Sequence, residues 1–310
     1  MSQTEIIKSK KLSWLNIIDA SEKEIAYLKK KFKFNQLDLN DSYSHKHAQR
    51  PKLIIRPNYI FIILLFPVFN RSTREIKTAE IDIFVTKDHL ITLHYNQLKP
   101  FRNFFKSVKE SKKERELYLN QSTSMLLYEL LDNLYVSIFP MIDHISVNIN
   151  NVEKNIFEYQ PRETVQEVLI IKRNIIHLRR IMQVHKNVLK KIAHSRTPFF
   201  NKSGQSTIFF NDLISYTKNI WDLLENHRQT IIALEDTNNA LLTFRTNDIM
   251  RTLTIFSVII FPLTLIATLF AIDAKYLPIL GSYMDFWKII GILAVVAVIM
   301  LGYFKKKKFI

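Results

Sequence analysis

The chain has 310 residues, a formal net charge of +16 and no cysteine. The lack of thiols excludes a disulfide framework and a thiolate metal centre. The positive balance points to an anionic partner, either nucleic acid or a membrane surface. Four lysines, Lys305, Lys306, Lys307 and Lys308, directly follow an apolar run, so the membrane is the expected partner and nucleic acid is not. Four glycines and nine prolines favour long helices over many tight turns. The opening MSQTEIIKSKKLSW holds no apolar signal-peptide core, so the hydrophilic part is expected to stay in the cytoplasm. No G-x-x-x-x-G-K, G-x-S-x-G or H-E-x-x-H pattern occurs, and no enzyme is expected.

Residues 1–107 read as a mixed α/β domain. Residues 21–31 fit a short helix capped by Ser21. YIFIILLF at 59–66, between Pro57 and Pro67, has the length and continuous apolar character of a strand covered on both faces. Two further strands are predicted at 81–85 and 90–94, hinged at Thr86, Lys87 and Asp88. The expected product is a small sheet flanked by helices. His45 and His47 lack further ligands nearby and read as surface residues.

Over residues 108–250 the strand signals give way to helices. Residues 122–157, 163–192 and 207 onward carry apolar side chains at three-and-four spacing, as in Leu126, Leu127, Leu130, Leu131 and Leu134. Breaks are expected at Gln160 and Pro161 and within 195–205. The basic residues Lys190, Lys191, Arg196 and Lys202 around that second break read as a solvated face. A helix over 207–272 would be roughly 100 Å long and would need packing along its whole length.

Its last part, residues 252–272, has no charge for 21 residues, enough to cross a hydrocarbon core about 30 Å thick. One face differs from the rest. Thr254, Ser257, Phe261, Thr264, Thr268 and Ala271 recur at threes and fours, and the stripe runs back through Met250, Asn247, Thr243 and Ala240. Such spacing keeps one seam on one face of a slightly supercoiled helix. Hydroxyls gain nothing against lipid, so the seam faces a partner helix or a water column; spacing alone leaves both open. Pro262 should kink the helix or free a carbonyl. A second run, about 284–304, has no polar stripe and should jacket the first helix, with Trp287 and Tyr303 at the two interfaces. Both termini are then expected inside the cell membrane.

These segments resemble the CorA family of magnesium transporters. Pro262, Leu263, Thr264, Ile266 and Ala267 match its P-L-T-x-I-A run; Leu277, Pro278 and Leu280 fall at its M-P-E-L loop. The lysine tail, R-T-N-D-I-M from Arg245 to Met250 and Q-R-P-K from Gln49 to Lys52 also match. The resemblance departs at the signature, where Gly-Met-Asn is replaced by Ala271, Ile272 and Asp273, and Lys275 and Ile279 sit where acidic residues often occur.

The family implies a homopentameric funnel: an α+β cytoplasmic domain (1–107), a long helical stalk (108–250) and a membrane domain (251–310) with helices at about 252–272 and 284–304. It implies a divalent-cation channel or transporter, magnesium foremost, driven by the membrane potential. Asn247, Met250, Leu253, Phe261 and Thr264 match pore-lining positions, and Thr254, Ser257 and Thr268 complete the seam. Asp273 would form a ring at the outer pore mouth. Asp236 and Asp41 would bridge a regulatory magnesium ion between subunits, with Asp38, Glu235 and Asp248 as substitutes. Two other readings keep the fold: transport of zinc or another divalent metal, and a non-conducting membrane-anchored scaffold or regulator.

Overall fold

The computed structural model describes residues 3–43, 50–158, 161–197, 200, 206–271 and 284–307. The chain divides into two compact units, Met1–Glu235 and Asp236–Ile310.

The first unit is built on six strands: β1 (Gln3–Lys8), β2 (Ser13–Ile18), β3 (Lys52–Ile55), β4 (Ile60–Asn70), β5 (Glu75–Val85) and β6 (His89–His94). Their order is β1-β2-β6-β5-β4-β3, antiparallel throughout except for β2 beside β6. Both faces of the middle strands are covered, which is why β4 reads as an unbroken apolar run. On one face lie α1 (Glu22–Phe32) and α2 (Gln36–Tyr43), whose Leu28 and Leu39 join Ile17, Phe61, Ile63 and Ile91 in one core. Phe34, between these helices, stacks on Phe84 at 4.5 Å, and Phe84 stacks on Phe61 at 4.4 Å. As expected, Ser21 caps α1, and Glu24 closes a capping box by accepting from the Ser21 backbone N–H at 2.9 Å.

The other face is covered by α3 (Lys99–Glu110), α5 (Thr123–Val136) and α8 (His185–His194), with α4 (Lys112–Leu119) beside α3. Trp14 meets Phe101 and Phe105 of α3 edge-on. A buried polar chain crosses this face. Trp14 Nε1 donates to Thr92 Oγ1 (3.1 Å), Thr92 donates to Asn16 Oδ1 (2.9 Å), and His94 Nε2 meets the same oxygen at 2.9 Å. The Asn96 N–H donates to His94 Nδ1 at 2.9 Å, which fixes the neutral Nε2–H tautomer. Burial, with Arg102 nearby, pulls His94 down to about 4.

Helices α6 (Phe139–Glu158) and α7 (Pro161–Met182) form a pair, and α7 lies on β4 and β5. The expected helix over 122–157 is thus two helices, broken at Ser137 and Ile138, and that over 163–192 is broken at Gln183 and Val184. Strand β4 also runs on through Pro67. The pairing explains it: β3 covers only Ile60 to Ile63, so beyond them one edge of β4 has no strand partner among the described residues and a missing N–H costs nothing.

Helix α9 (Ser206–Phe270) contributes to both units. In the first, Phe210, Leu213, Ile220, Leu224 and Ile231 are fully buried at three-and-four spacing. The second unit holds the rest of α9 and α10 (Asp285–Lys306). Both have windows long and apolar enough to cross a membrane, of mean hydropathy 2.4 and 2.2, and neither window has a buried residue. The stretch 123–158 also qualifies by length and composition, but 44% of its window is buried and its leucines belong to the core.

Candidate ion pathway and cation sites

In the second unit, exposure along α9 follows the helical period. Thr254, Ser257, Phe261, Thr264, Thr268 and Ala271 are exposed; Ile255, Ile259, Pro262, Leu263, Ile266 and Phe270 are half-buried. At 3.6 residues per turn each set occupies an arc of about 100°, and the two arcs lie on opposite sides of the helix. Helix α10 carries a matching half-buried stripe, Ile289, Ile292, Leu293, Val296, Ala297, Met300 and Phe304. The partly covered face of α9 is therefore the face away from the seam.

The hydroxyls of the seam have a fixed polarity. Thr254 Oγ1 donates to the Met250 carbonyl at 2.7 Å, Ser257 Oγ to that of Leu253 at 2.9 Å, and Thr268 Oγ1 to that of Leu265 at 2.9 Å. Further back, Thr243 Oγ1 donates to the Asn239 carbonyl at 2.9 Å. With the proton committed to its own helix, each of these four hydroxyls presents only lone pairs outward. Pro262 brings no N–H for the Val258 carbonyl, which adds a further acceptor inside the helix. Asn247 is exposed on the same side, and Met250, Leu253 and Phe261 are 55%, 60% and 71% exposed. The seam thus alternates backbone-tied acceptors with bare apolar side chains. Asp273 lies outside the described residues, as do His45, His47 and Lys202.

Asp41 and Asp236 belong to different units, and each has its own surroundings. Asp41 lies half-buried in the last turn of α2 and is ion-paired with Lys52 at the start of β3. Asp236 is exposed. Two of the substitutes are occupied elsewhere. Asp38 is 1% exposed, held by Arg56 through two bonds (2.9 and 3.1 Å) and by the Tyr59 hydroxyl (2.6 Å). Burial would raise its carboxyl, but these bonds outweigh it and hold Asp38 below the usual carboxylate range. Glu235 pairs with Lys172 at 2.7 Å, whereas Asp248 is exposed. Among the described residues no three His, Asp or Glu side chains converge on one point.

The profile of the family described as CorA-like Mg2+ transporter protein matches residues 9–306. The chain belongs to this family. It is 28% identical over 263 residues to the cobalt/magnesium transport protein CorA of Thermotoga maritima, covering 84% of this chain and 73% of that protein. It is 26% identical over 298 residues to the putative metal ion transporter YfjQ of Bacillus subtilis, covering 95% and 88%. The complete structure of the CorA magnesium transporter from Methanocaldococcus jannaschii superposes with a TM-score of 0.85 at 19% identity, over 98% of this chain and 93% of that one. Soluble α/β domain, long helix and C-terminal apolar helices are the CorA fold.

Two features of this CorA-like chain escaped sequence reasoning. One is Lys52 as the counter-ion of Asp41. The other is Asp82 on β5, 3% exposed, with Oδ1 unpartnered. Burial, with Glu80 beside it, pushes its carboxyl well above the usual range. The signal for Asp82 was present: a lone carboxylate inside the apolar run IDIFV.

Proposed function

We propose that the chain assembles as a homopentamer in the cell membrane, both termini cytoplasmic, and conducts divalent cations, magnesium foremost, through a pore lined by the seam of α9. The observation that carries this reading is the polarity of the seam: acceptor-only hydroxyls at Thr254, Ser257 and Thr268, on the face opposite the partly covered one. A hydrated divalent cation presents water hydrogens outward, and a wall of lone pairs receives them. Magnesium sheds its waters reluctantly, so a wall that reads the hydrated ion suits it. Thr254, Ser257, Thr264 and Thr268 with Asn247 would contact the shell; Met250, Leu253 and Phe261 would form apolar collars that gate by dewetting. Moving a divalent ion inward down a potential of 100 mV releases roughly 4.6 kcal/mol, twice the single-charge value.

In this reading Asp273 draws cations to the outer mouth, more strongly than a neutral amide would. Asp236 of one copy and Asp41 of the next bridge an intracellular magnesium ion, which must displace Lys52 from Asp41. The lysine tail after α10 sits at anionic lipid headgroups. The T. maritima and M. jannaschii relatives, each named a cobalt/magnesium transport protein, support the cargo class. The test is ion flux into proteoliposomes under an inside-negative potential, comparing magnesium, cobalt, nickel and zinc. Uptake that rises with the potential is expected; no flux of any of the four would overturn the reading in favour of a non-conducting scaffold.

A further inference from the structure

Within the first unit, the far end of β4, the start of α3 and the outer face of α6 enclose a cleft of about 490 Å3. Its walls are mostly apolar, with Phe66, Phe69, Met141 and Ile145 among them, and no Asp or Glu lines it. Arg71 and Lys99 do, both exposed, and among the described residues neither has an ion-pair partner. Their basic neighbours differ: Arg74 is held by Glu167 at 2.6 Å and Arg173 by Glu75 at 2.8 Å. Of the other polar groups, Gln97 is exposed and uncharged, Ser137 Oγ donates to the Leu134 carbonyl at 2.7 Å, and the rest are bonded within the fold. Asn174 accepts from the Ile76 N–H at 3.0 Å and donates to the Arg74 carbonyl at 2.8 Å, while His144 is bonded to Asn148 at 3.1 Å. Helix α3 opens beside Lys99, and its cap residue Leu98 supplies no side-chain bond to the first turn.

Clefts of about 300–1,000 Å3, mostly apolar with a few convergent polar groups, are the usual form of a small-molecule site. Here both charged groups are cationic, and neither is paired among the described residues. A neutral apolar guest would leave both charges unmatched, and a small inorganic anion would leave the aromatic walls wet. Arginine in particular matches a carboxylate with two parallel N–H donors. We propose that this cleft binds an amphipathic organic carboxylate, its head between Arg71 and Lys99 and its aliphatic or aromatic body along Phe69 and Met141. The site shares no residue with the seam and does not depend on conduction.

The test uses the intact chain in lipid nanodiscs, with empty nanodiscs subtracted. 4-Phenylbutyrate is titrated by saturation-transfer NMR against 4-phenylbutanol and 4-phenylbutylamine. The carboxylate should bind at least tenfold more tightly than the alcohol or the amine. Arg71→Ala combined with Lys99→Ala should weaken it at least tenfold without changing the melting temperature. Pro140→Trp, which fills the cleft and keeps both cations, should abolish binding; Ser137→Phe serves the same end if Pro140→Trp does not fold. The proposal is overturned by equal binding of acid and alcohol, by no binding of the acid at millimolar concentration, or by parental affinity in a correctly folded filled variant. A neighbouring copy found seated in the cleft of the assembled protein would overturn it as well.

Discussion

Between Phe210 and Ile231, α9 buries five large side chains completely; beyond Asn238 it buries none, although its sequence there is far more apolar. The stretch 123–158 makes the same point from the other side, since it is apolar enough to span a membrane and is nonetheless core. Hydropathy alone therefore does not separate a core helix from a membrane helix. What separates them is whether the same chain supplies the cover. The first half of α9 is an ordinary amphipathic helix, whose apolar stripe its own domain satisfies. The second half needs lipid on some faces and something polar on one.

The contrast can be broken most strongly by truncation. Leu224→Ala in the covered half should cost about 2–5 kcal/mol, the range for emptying a packed core. Leu253→Ala in the bare half should cost under about 1 kcal/mol in the solubilised chain. Thermal unfolding in detergent, read by circular dichroism, checks both; equal losses would erase the distinction between the halves.

Acid should sharpen the contrast by loosening only the first unit. Burial pulls His94 and His185 down to about 4. His185 is locked neutral, with Nδ1 2.8 Å from the Tyr135 hydroxyl and Nε2 2.8 Å from the Leu65 carbonyl. A depressed histidine means that the unfolded chain binds the proton first. Their stabilising contribution is therefore complete above about pH 6.5 and is lost as pH falls toward 4. Each should cost up to about 3 kcal/mol over that window. Limited proteolysis with pepsin should cut the first unit increasingly below pH 5 and spare the α10 segment, and His185→Gln should reduce this acid sensitivity.

The seam offers the next test, about tenfold in rate. Ser257→Leu with Thr264→Leu should lower magnesium flux into proteoliposomes at least tenfold, equivalent to about 1.4 kcal/mol. Ile259→Leu on the opposite face should leave flux unchanged. A smaller effect is expected in the first unit at Asp82, whose buried carboxyl gives up hydration without a full set of partners. Asp82→Asn removes the buried charge, keeps a bond to Ser42 within reach and should raise the melting temperature at pH 7.

Much of this was legible in the sequence because it rests on local period. Ser21 with Glu24 marked the start of α1, the run at 59–66 marked the buried core of β4, and threes and fours marked the seam. The misses are non-local. Strand β2 pairs with β6 more than seventy residues away, and Asn16 interrupts its apolar pattern because a polar chain crosses the sheet there. The break at 183–184 carries no glycine or proline, so the apolar period runs through it, whereas that at 137–138 was marked by Pro140, the second residue of α6. Pro67 looked like a strand end because a missing N–H is harmful only where a neighbour needs it. At the candidate site the exposed and half-buried faces of α9 follow the period read from the sequence, and the pore-lining role of the seam is a proposal. The Lys52 partner of Asp41 could not be read, since it depends on how α2 meets β3.

The hydroxyls along α9 carry a further consequence. With their protons tied to the backbone, they give the proposed pore a sign without giving it a charge. The waters around an anion turn their oxygens outward and would meet a wall of oxygen lone pairs, whereas a cation's shell meets it hydrogen first. Discrimination of this kind uses no titratable group, so it should persist unchanged from mildly acidic to alkaline solution. It should also resist salt, which screens charges but leaves hydrogen-bond direction alone.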